Sequence, residues 1–114
     1  DGSTLMRLGE LETFARTGVA MPLIIINDHA LGTMKSRQKS RGMVDFGLDL
    51  QPVNFAQIAQ AVGLNGVVVD APDQFETALS SALREDVTTV IDARVEPQPY
   101  WDSFGPSIGV IDDE

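Results

Sequence analysis

Apolar positions fall on three helical stripes and three short continuous runs. Leu5, Leu8 and Leu11, then Phe14 or Ala15, recur at spacings of three and four, which places them on one face of a helix. Ser3 is its expected N-cap and Gly18 its stop. A second helix is expected over about 55–62. Asn54 and Gln57 make a capping-box pattern, Phe55, Ile58, Ala59 and Val62 form the stripe, and Gly63 ends it. The third starts near Pro72, a residue suited to the first helical position, and carries Phe75, Ala78, Leu79, Ala82 and Leu83. Between them lie Pro22-Leu23-Ile24-Ile25-Ile26, Gly66-Val67-Val68-Val69 and Thr88-Thr89-Val90-Ile91-Asp92-Ala93. Near-continuous β-branched runs predict strands covered on both faces, as in parallel sheets. Helix–strand alternation predicts an α/β fold, a mostly parallel sheet with helices on both faces.

Residues 33–53 and 96–114 show no clear period. The first holds a basic cluster, Lys35, Arg37, Lys39 and Arg41, followed by Asp45-Phe46-Gly47. That tripeptide occurs in kinases, but no other kinase motif accompanies it. The second reads as an extended tail, with Tyr100 and Trp101 as packing residues. No internal repeat or low-complexity segment is present.

Composition narrows the class. A length of 114 residues fits one domain. The net charge of −9 excludes nucleic acid as a main partner, because phosphate neutralisation needs a basic face. The absence of cysteine excludes a disulfide scaffold, a zinc-thiolate site and a cysteine nucleophile. No apolar run reaches the ~20 residues of a membrane span, and no signal-peptide pattern opens the chain. A cytoplasmic protein is expected. The first residue is Asp1 rather than Met, so the chain is expected to be part of a longer polypeptide.

Ligands of open α/β sheets bind outside the carboxyl ends of the strands. Asp1 precedes the first helix and Asp28 follows the first strand, so both can face that edge. Two carboxylates and a backbone carbonyl suit Mg²⁺, which shares its shell with waters and substrate phosphates. Gly2, Ser3 and the start of the first helix offer N–H donors to a phosphate, and Gly32 permits close backbone approach. Asp-Gly is also an ordinary turn, and an Asp after a strand is common. Spacing alone therefore leaves a plain turn as the alternative to a metal-bridged diphosphate site.

Asp1-Gly2-Ser3, followed after a helix and a strand by Asn27-Asp28, resembles a two-part motif. It is that of the C-terminal cofactor-binding domain in thiamine diphosphate-dependent enzymes of the acetolactate synthase and benzoylformate decarboxylase type. Leu8-Gly9-Glu10-Leu11-Glu12-Thr13 and Asn27 through Gly32 fit the same pattern. So do Asp45-Phe46, Pro52-Val53-Asn54-Phe55 with Ala59, Ala61 and Gly63, and Pro72 with Phe75 and Leu79. The resemblance implies a partial thiamine diphosphate-binding domain over residues 1–95 and a C-terminal tail over 96–114. It puts strand 88–93 between the other two. It implies thiamine diphosphate and Mg²⁺ as cofactors, with Asp1 and Asp28 as side-chain ligands and Ala30 giving its main-chain carbonyl. Gly2, Ser3, Leu31, Gly32 and Thr33 would hold the diphosphate, and Met34 and Arg37 would face the substrate channel.

The implied function is that of a lyase or carboligase acting on a small-molecule 2-oxo acid. The alternatives are a non-catalytic fragment or another phosphate-binding α/β domain. Asp28 departs from the usual Asn of the family and adds a negative charge. Lys35 or Arg37 would face the substrate channel, and Arg37 stands where acetolactate synthases tend to carry an aromatic residue. His29 is expected to be a packing residue. The family's activating glutamate belongs to an N-terminal domain of a neighbouring subunit, and no glutamate here has a matching context. No catalytic residue is therefore assigned, and the chain alone is expected to be inactive. The partners implied are the missing N-terminal domains and further copies in a homo-oligomer. The edge of strand 22–26 is expected to be open to pairing.

Overall fold

The computed structural model describes residues 1–97. Of the tail expected over 96–114, Glu96 and Pro97 are described, and the rest, with Tyr100 and Trp101, lies outside the described residues. Five helices and three strands follow in order: α1 (Gly2–Met6), α2 (Glu10–Thr17), β1 (Pro22–Asn27), α3 (Gly32–Ser40), α4 (Phe55–Ala61), β2 (Asn65–Val69), α5 (Pro72–Ala82) and β3 (Thr89–Arg94). The strands form one parallel sheet in the order β1-β3-β2. This is the α/β arrangement expected, with β3 in the middle.

The two faces carry separate apolar clusters. On one, Leu11 of α2 and Phe55 and Ala59 of α4 pack on Ile25 and Val90. On the other, α5 sets Ala82, Phe75, Ala78 and Leu79 against Val69, Ile91 and Ala93. Strand alternation explains the division, since neighbours along a strand point to opposite faces. α5 covers β2 and β3 but not β1, so Ile24 and Ile26 stay 40% and 56% exposed. Among the described residues no helix is long and apolar enough to cross a membrane.

The first helical stripe is not one helix. It breaks into α1 and α2, and the cap is Asp1 rather than Ser3: Asp1 Oδ1 accepts from the Gly2 N–H at 2.6 Å. Through the break, successive N–H groups donate three residues back, from Arg7 to Thr4, Glu10 to Arg7, Leu11 to Leu8 and Glu12 to Gly9. Such tight turns keep residues three apart on one side. Leu5, Leu8, Leu11, Phe14 and Ala15 therefore still reach one core. Gly18, at φ 66°, ends α2 in the left-handed region as expected. α3 was not expected. Its sequence, Gly-Thr-Met-Lys-Ser-Arg-Gln-Lys-Ser, has no apolar stripe to announce it.

The cap of α4 is as expected, with Asn54 Oδ1 accepting from the Gln57 N–H at 2.9 Å. α4 lies directly on β2. A Cβ on Gly66 would stand 2.2 Å from the Ala56 carbonyl oxygen, with backbone on both sides of the clash. Two glutamines also close the outer edge of β2. Gln60 Nε2 donates to the Gly66 carbonyl at 3.0 Å, and Gln74 Oε1 accepts from the Asp70 N–H at 3.1 Å. Side-chain amides here take the place of a neighbouring strand, which is one way to blunt an edge. Gly66→Ala is expected to destabilise the fold by about 1–3 kcal/mol or more, as overpacking does. Chemical denaturation read by circular dichroism checks this, and an unchanged midpoint would contradict the close approach.

Candidate functional site

The cleft is built where β1 and β3 end and α1 and α3 begin. Asp1 is anchored by backbone. Its nitrogen donates to the Ile26 carbonyl at 2.7 Å, and its carbonyl accepts from the Leu5 N–H at 2.9 Å. This ties the start of α1 to the last turn of β1. On the other side, Asp28 leaves β1 and its Oδ1 accepts from the Ala30 N–H at 3.3 Å. His29 then takes φ 56°, a backbone conformation uncommon for a non-glycine residue. This reverses the chain so that residues 29–31 lie against residues 48–50. Leu31 N–H donates to the Leu48 carbonyl and Leu50 N–H to the His29 carbonyl, each at 2.8 Å, around an antiparallel bridge between Ala30 and Asp49.

Between these two turns lies a cleft of about 380 Å³. Asp1, Gly2, Ser3, Asp28, Ala30, Leu31, Gly32, Thr33 and Met34 all line it. The expected metal ligands and diphosphate-binding positions are thus neighbours in space. Gly2 sits close against the end of the Leu31 side chain, which would have to shift to admit a Cβ there. Arg37 is not in the lining; it is exposed on α3. Lys35 is also outside it. Its Nζ meets Asp49 Oδ1 at 2.6 Å and Asp45 Oδ2 at 3.1 Å, tying α3 to the segment that supports residues 29–31. The hydrogen bond that Lys35 donates to Asp49, then the one to Asp45, raises the Lys35 pKa above the ordinary lysine value.

The cleft also has walls that the sequence reading missed: Met6, Ile26, Val95, Glu96 and Pro97. A signal for the last three was present. They follow the central strand at its carboxyl end, where such sheets hold ligands. Met6 and Ile26 give no sign of their own, because each reads as an ordinary member of an apolar stripe.

The donor set can be tested against a metal-bridged diphosphate. Among the described residues, three carboxylates, Asp1, Asp28 and Glu96, line the cleft, and no Lys, Arg or His side chain does. An anionic ligand entering it meets like charge unless a cation comes with it. Among the described residues, no three His, Cys, Asp or Glu side chains converge to cage a metal. Two carboxylates with a nearby carbonyl fit a hard cation that completes its shell from water and phosphate oxygens. The first turn of α3 carries neither an acidic residue nor a side-chain cap, leaving its N-terminal dipole available to an anion. The residues present fit the group.

Comparison with known proteins places the chain. The family described as thiamine pyrophosphate enzyme, C-terminal TPP binding domain, matches residues 1–93. An acetolactate synthase large subunit of Parasynechococcus marenigrum (strain WH8102) is 30% identical over 99 residues, covering 83% of this chain and 16% of that protein. A 3D-(3,5/4)-trihydroxycyclohexane-1,2-dione hydrolase of Geobacillus thermodenitrificans (strain NG80-2) is 25% identical over 119 residues, covering 92% and 19%. Among solved structures, the thiamine diphosphate-dependent 4-hydroxybenzoylformate decarboxylase of Rhodococcus jostii RHA1 superposes with a TM-score of 0.76 at 29% identity. It covers 84% of this chain and 18% of its own. The chain therefore spans less than a fifth of the length of each of these relatives.

The Lys35 tie has a definite pH dependence. Because its folded pKa lies above the ordinary 10.5, the tie is complete below that pH and is lost as pH rises through the raised value. Lys35→Met is expected to speed backbone hydrogen exchange over residues 45–50 at neutral pH. Exchange as slow as in the parent would contradict the tie.

Proposed function

The chain belongs to the thiamine pyrophosphate enzyme family as its C-terminal cofactor-binding domain, and from that premise we propose how its residues hold the cofactor. Asp1 and Asp28 would give carboxylate oxygens, and Ala30 its carbonyl, to a Mg²⁺ ion held beside the diphosphate. Gly2, Ser3, Leu31, Gly32 and Thr33 receive the diphosphate itself. The observation that carries this reading is the cleft lining: every one of these residues is present, and among the described residues no cationic side chain is. A divalent ion supplies the positive charge the protein does not. When bound, thiamine diphosphate supplies carbanion stabilisation, the hard part of the chemistry.

The chain's own residues contribute placement. Gly2 brings the start of α1 against Leu31, while the 48–50 segment holds the backbone of residues 29–31. Asp28 carries a full negative charge where the family pattern has a neutral amide, which makes diphosphate binding more dependent on the metal. Met6, Ile26, Met34 and Val95 give the cleft an apolar wall on which the non-phosphate part of the cofactor can rest.

The activity proposed for the whole protein is that of a lyase or carboligase acting on a small 2-oxo acid. The likeness to the acetolactate synthase and to the 4-hydroxybenzoylformate decarboxylase supports it. A second reading, hydrolysis of a cyclic 1,2-dione, is favoured by the hydrolase relative, which aligns over the larger share of this chain. Met34, which lines the cleft, is proposed to face the substrate channel, as is Arg37, although Arg37 is exposed on α3 outside the lining. The protein is proposed to act in the cytoplasm as a homo-oligomer.

Calorimetric titration of the metal-stripped protein with thiamine diphosphate tests the cofactor reading. Binding heat is expected only when Mg²⁺ is present. Asp1→Ala and Asp28→Ala are each expected to weaken binding by at least about tenfold, or about 1.4 kcal/mol. Metal-independent binding of parent strength, or full affinity in both variants, would sink the reading.

A further inference from the structure

Asp92 is a polar residue in the middle of the central strand and is 0% exposed. It pairs in register with Ile25 of β1 on one side and Val68 of β2 on the other. No apolar argument accounts for a carboxyl group there, and burying one requires partners. It has two. Asp92 Oδ1 accepts from Asn27 Nδ2 at 2.8 Å, and Oδ2 accepts from the Phe55 N–H at 3.0 Å. The second bond satisfies one of the N–H groups that open α4. The first reaches the last residue of β1, immediately before Asp28.

Asn27 is held from more than one side. Its Nδ2 also donates to the Val53 carbonyl at 3.2 Å, and its own carbonyl accepts from the Val95 N–H at 3.1 Å. The side chain is 1% exposed. The chain therefore leaves β1 from a fixed point, and the turn that carries Asp28 and Ala30 begins from it. We propose that Asp92 is a positioning residue for the metal end of the cleft: through Asn27 it fixes where β1 ends, and so where Asp28 is presented. The proposal rests on Asp28 being a ligand, as argued above. It assigns Asp92 no contact with metal or cofactor.

Partners of this kind behind metal ligands act on affinity rather than on the fold alone. Asp92→Asn keeps the shape of the side chain and one acceptor. It sets an amide donor against the Asn27 amide, or turns that donor on the Phe55 N–H. Asn27→Ala removes the link from the other end.

The test is the affinity of the intact protein for Mg²⁺ in a fixed excess of thiamine diphosphate, measured by calorimetry against a protein-free blank well below each variant's melting transition. Asp92→Asn and Asn27→Ala are each expected to raise the Mg²⁺ dissociation constant by about ten- to hundredfold. The double variant is expected to lose no more than the worse single one, because both break the same link. A folded Asp92→Asn protein with parental Mg²⁺ affinity would overturn the proposal. So would a double variant whose loss is the product of the single losses. If Asp92→Asn does not fold, parental affinity in Asn27→Ala overturns it equally. Asp28→Ala separates the two levels. If it weakens Mg²⁺ and the Asp92 and Asn27 variants do not, only the positioning role falls. If Asp28→Ala itself leaves Mg²⁺ binding unchanged, the ligand assignment falls and takes this inference with it.

Discussion

β3 is hydrogen-bonded on both sides, to β1 over Pro22–Asn27 and to β2 over Asn65–Val69, and each feature of the cleft is referred back to that pairing. Parallel strands in register bring their carboxyl ends to one level. That level is where Asp28 leaves β1 and where Val95 and Glu96 leave β3. Both faces of β3 are covered, by α4 through the Phe55 cluster and by α5 through the Ile91 cluster. The strand therefore behaves as the fixed reference against which the cleft is assembled. Asp92 ties that reference to β1 and to the start of α4 in one buried junction.

The rest of the cleft is added by turns rather than by core packing. Asp1 is held by backbone bonds to Ile26 and Leu5. Residues 29–31 are held by backbone bonds to Leu48 and Leu50, and that segment is in turn held by Lys35 through Asp45 and Asp49. Lys35 thus belongs to the support of the site. Its ammonium group meets two aspartates outside the cleft lining.

What could be read from the sequence follows from what each element buries. The three strands and α4 and α5 bury apolar residues at fixed spacing, so Ile25, Val69, Phe55 and Phe75 announce them. The order β1-β3-β2 came from resemblance and not from any single residue. α3 buries only Ser36, and a helix without an apolar face leaves no periodic trace. The stripe over Leu5 to Ala15 was legible as a face but not as a break, because tight turns preserve i,i+3 neighbours. Asp1, Gly2, Asp28 and Gly32 were legible as chemistry. Glu96 had only its place after β3 as a signal, and Asp92 had none, since it sits inside an apolar run.

The central claim is that a metal ion, held by the turns at Asp1 and Asp28, carries the cofactor's diphosphate into an otherwise acidic cleft. A crystal structure of the protein with thiamine diphosphate and Mg²⁺ tests it most directly. The account predicts a Mg²⁺ ion about 2.1 Å from oxygens of Asp1, Asp28 and the Ala30 carbonyl, with diphosphate oxygens completing its shell. A diphosphate seated in this cleft with no metal between it and the two aspartates, or seated elsewhere on the protein, would contradict it.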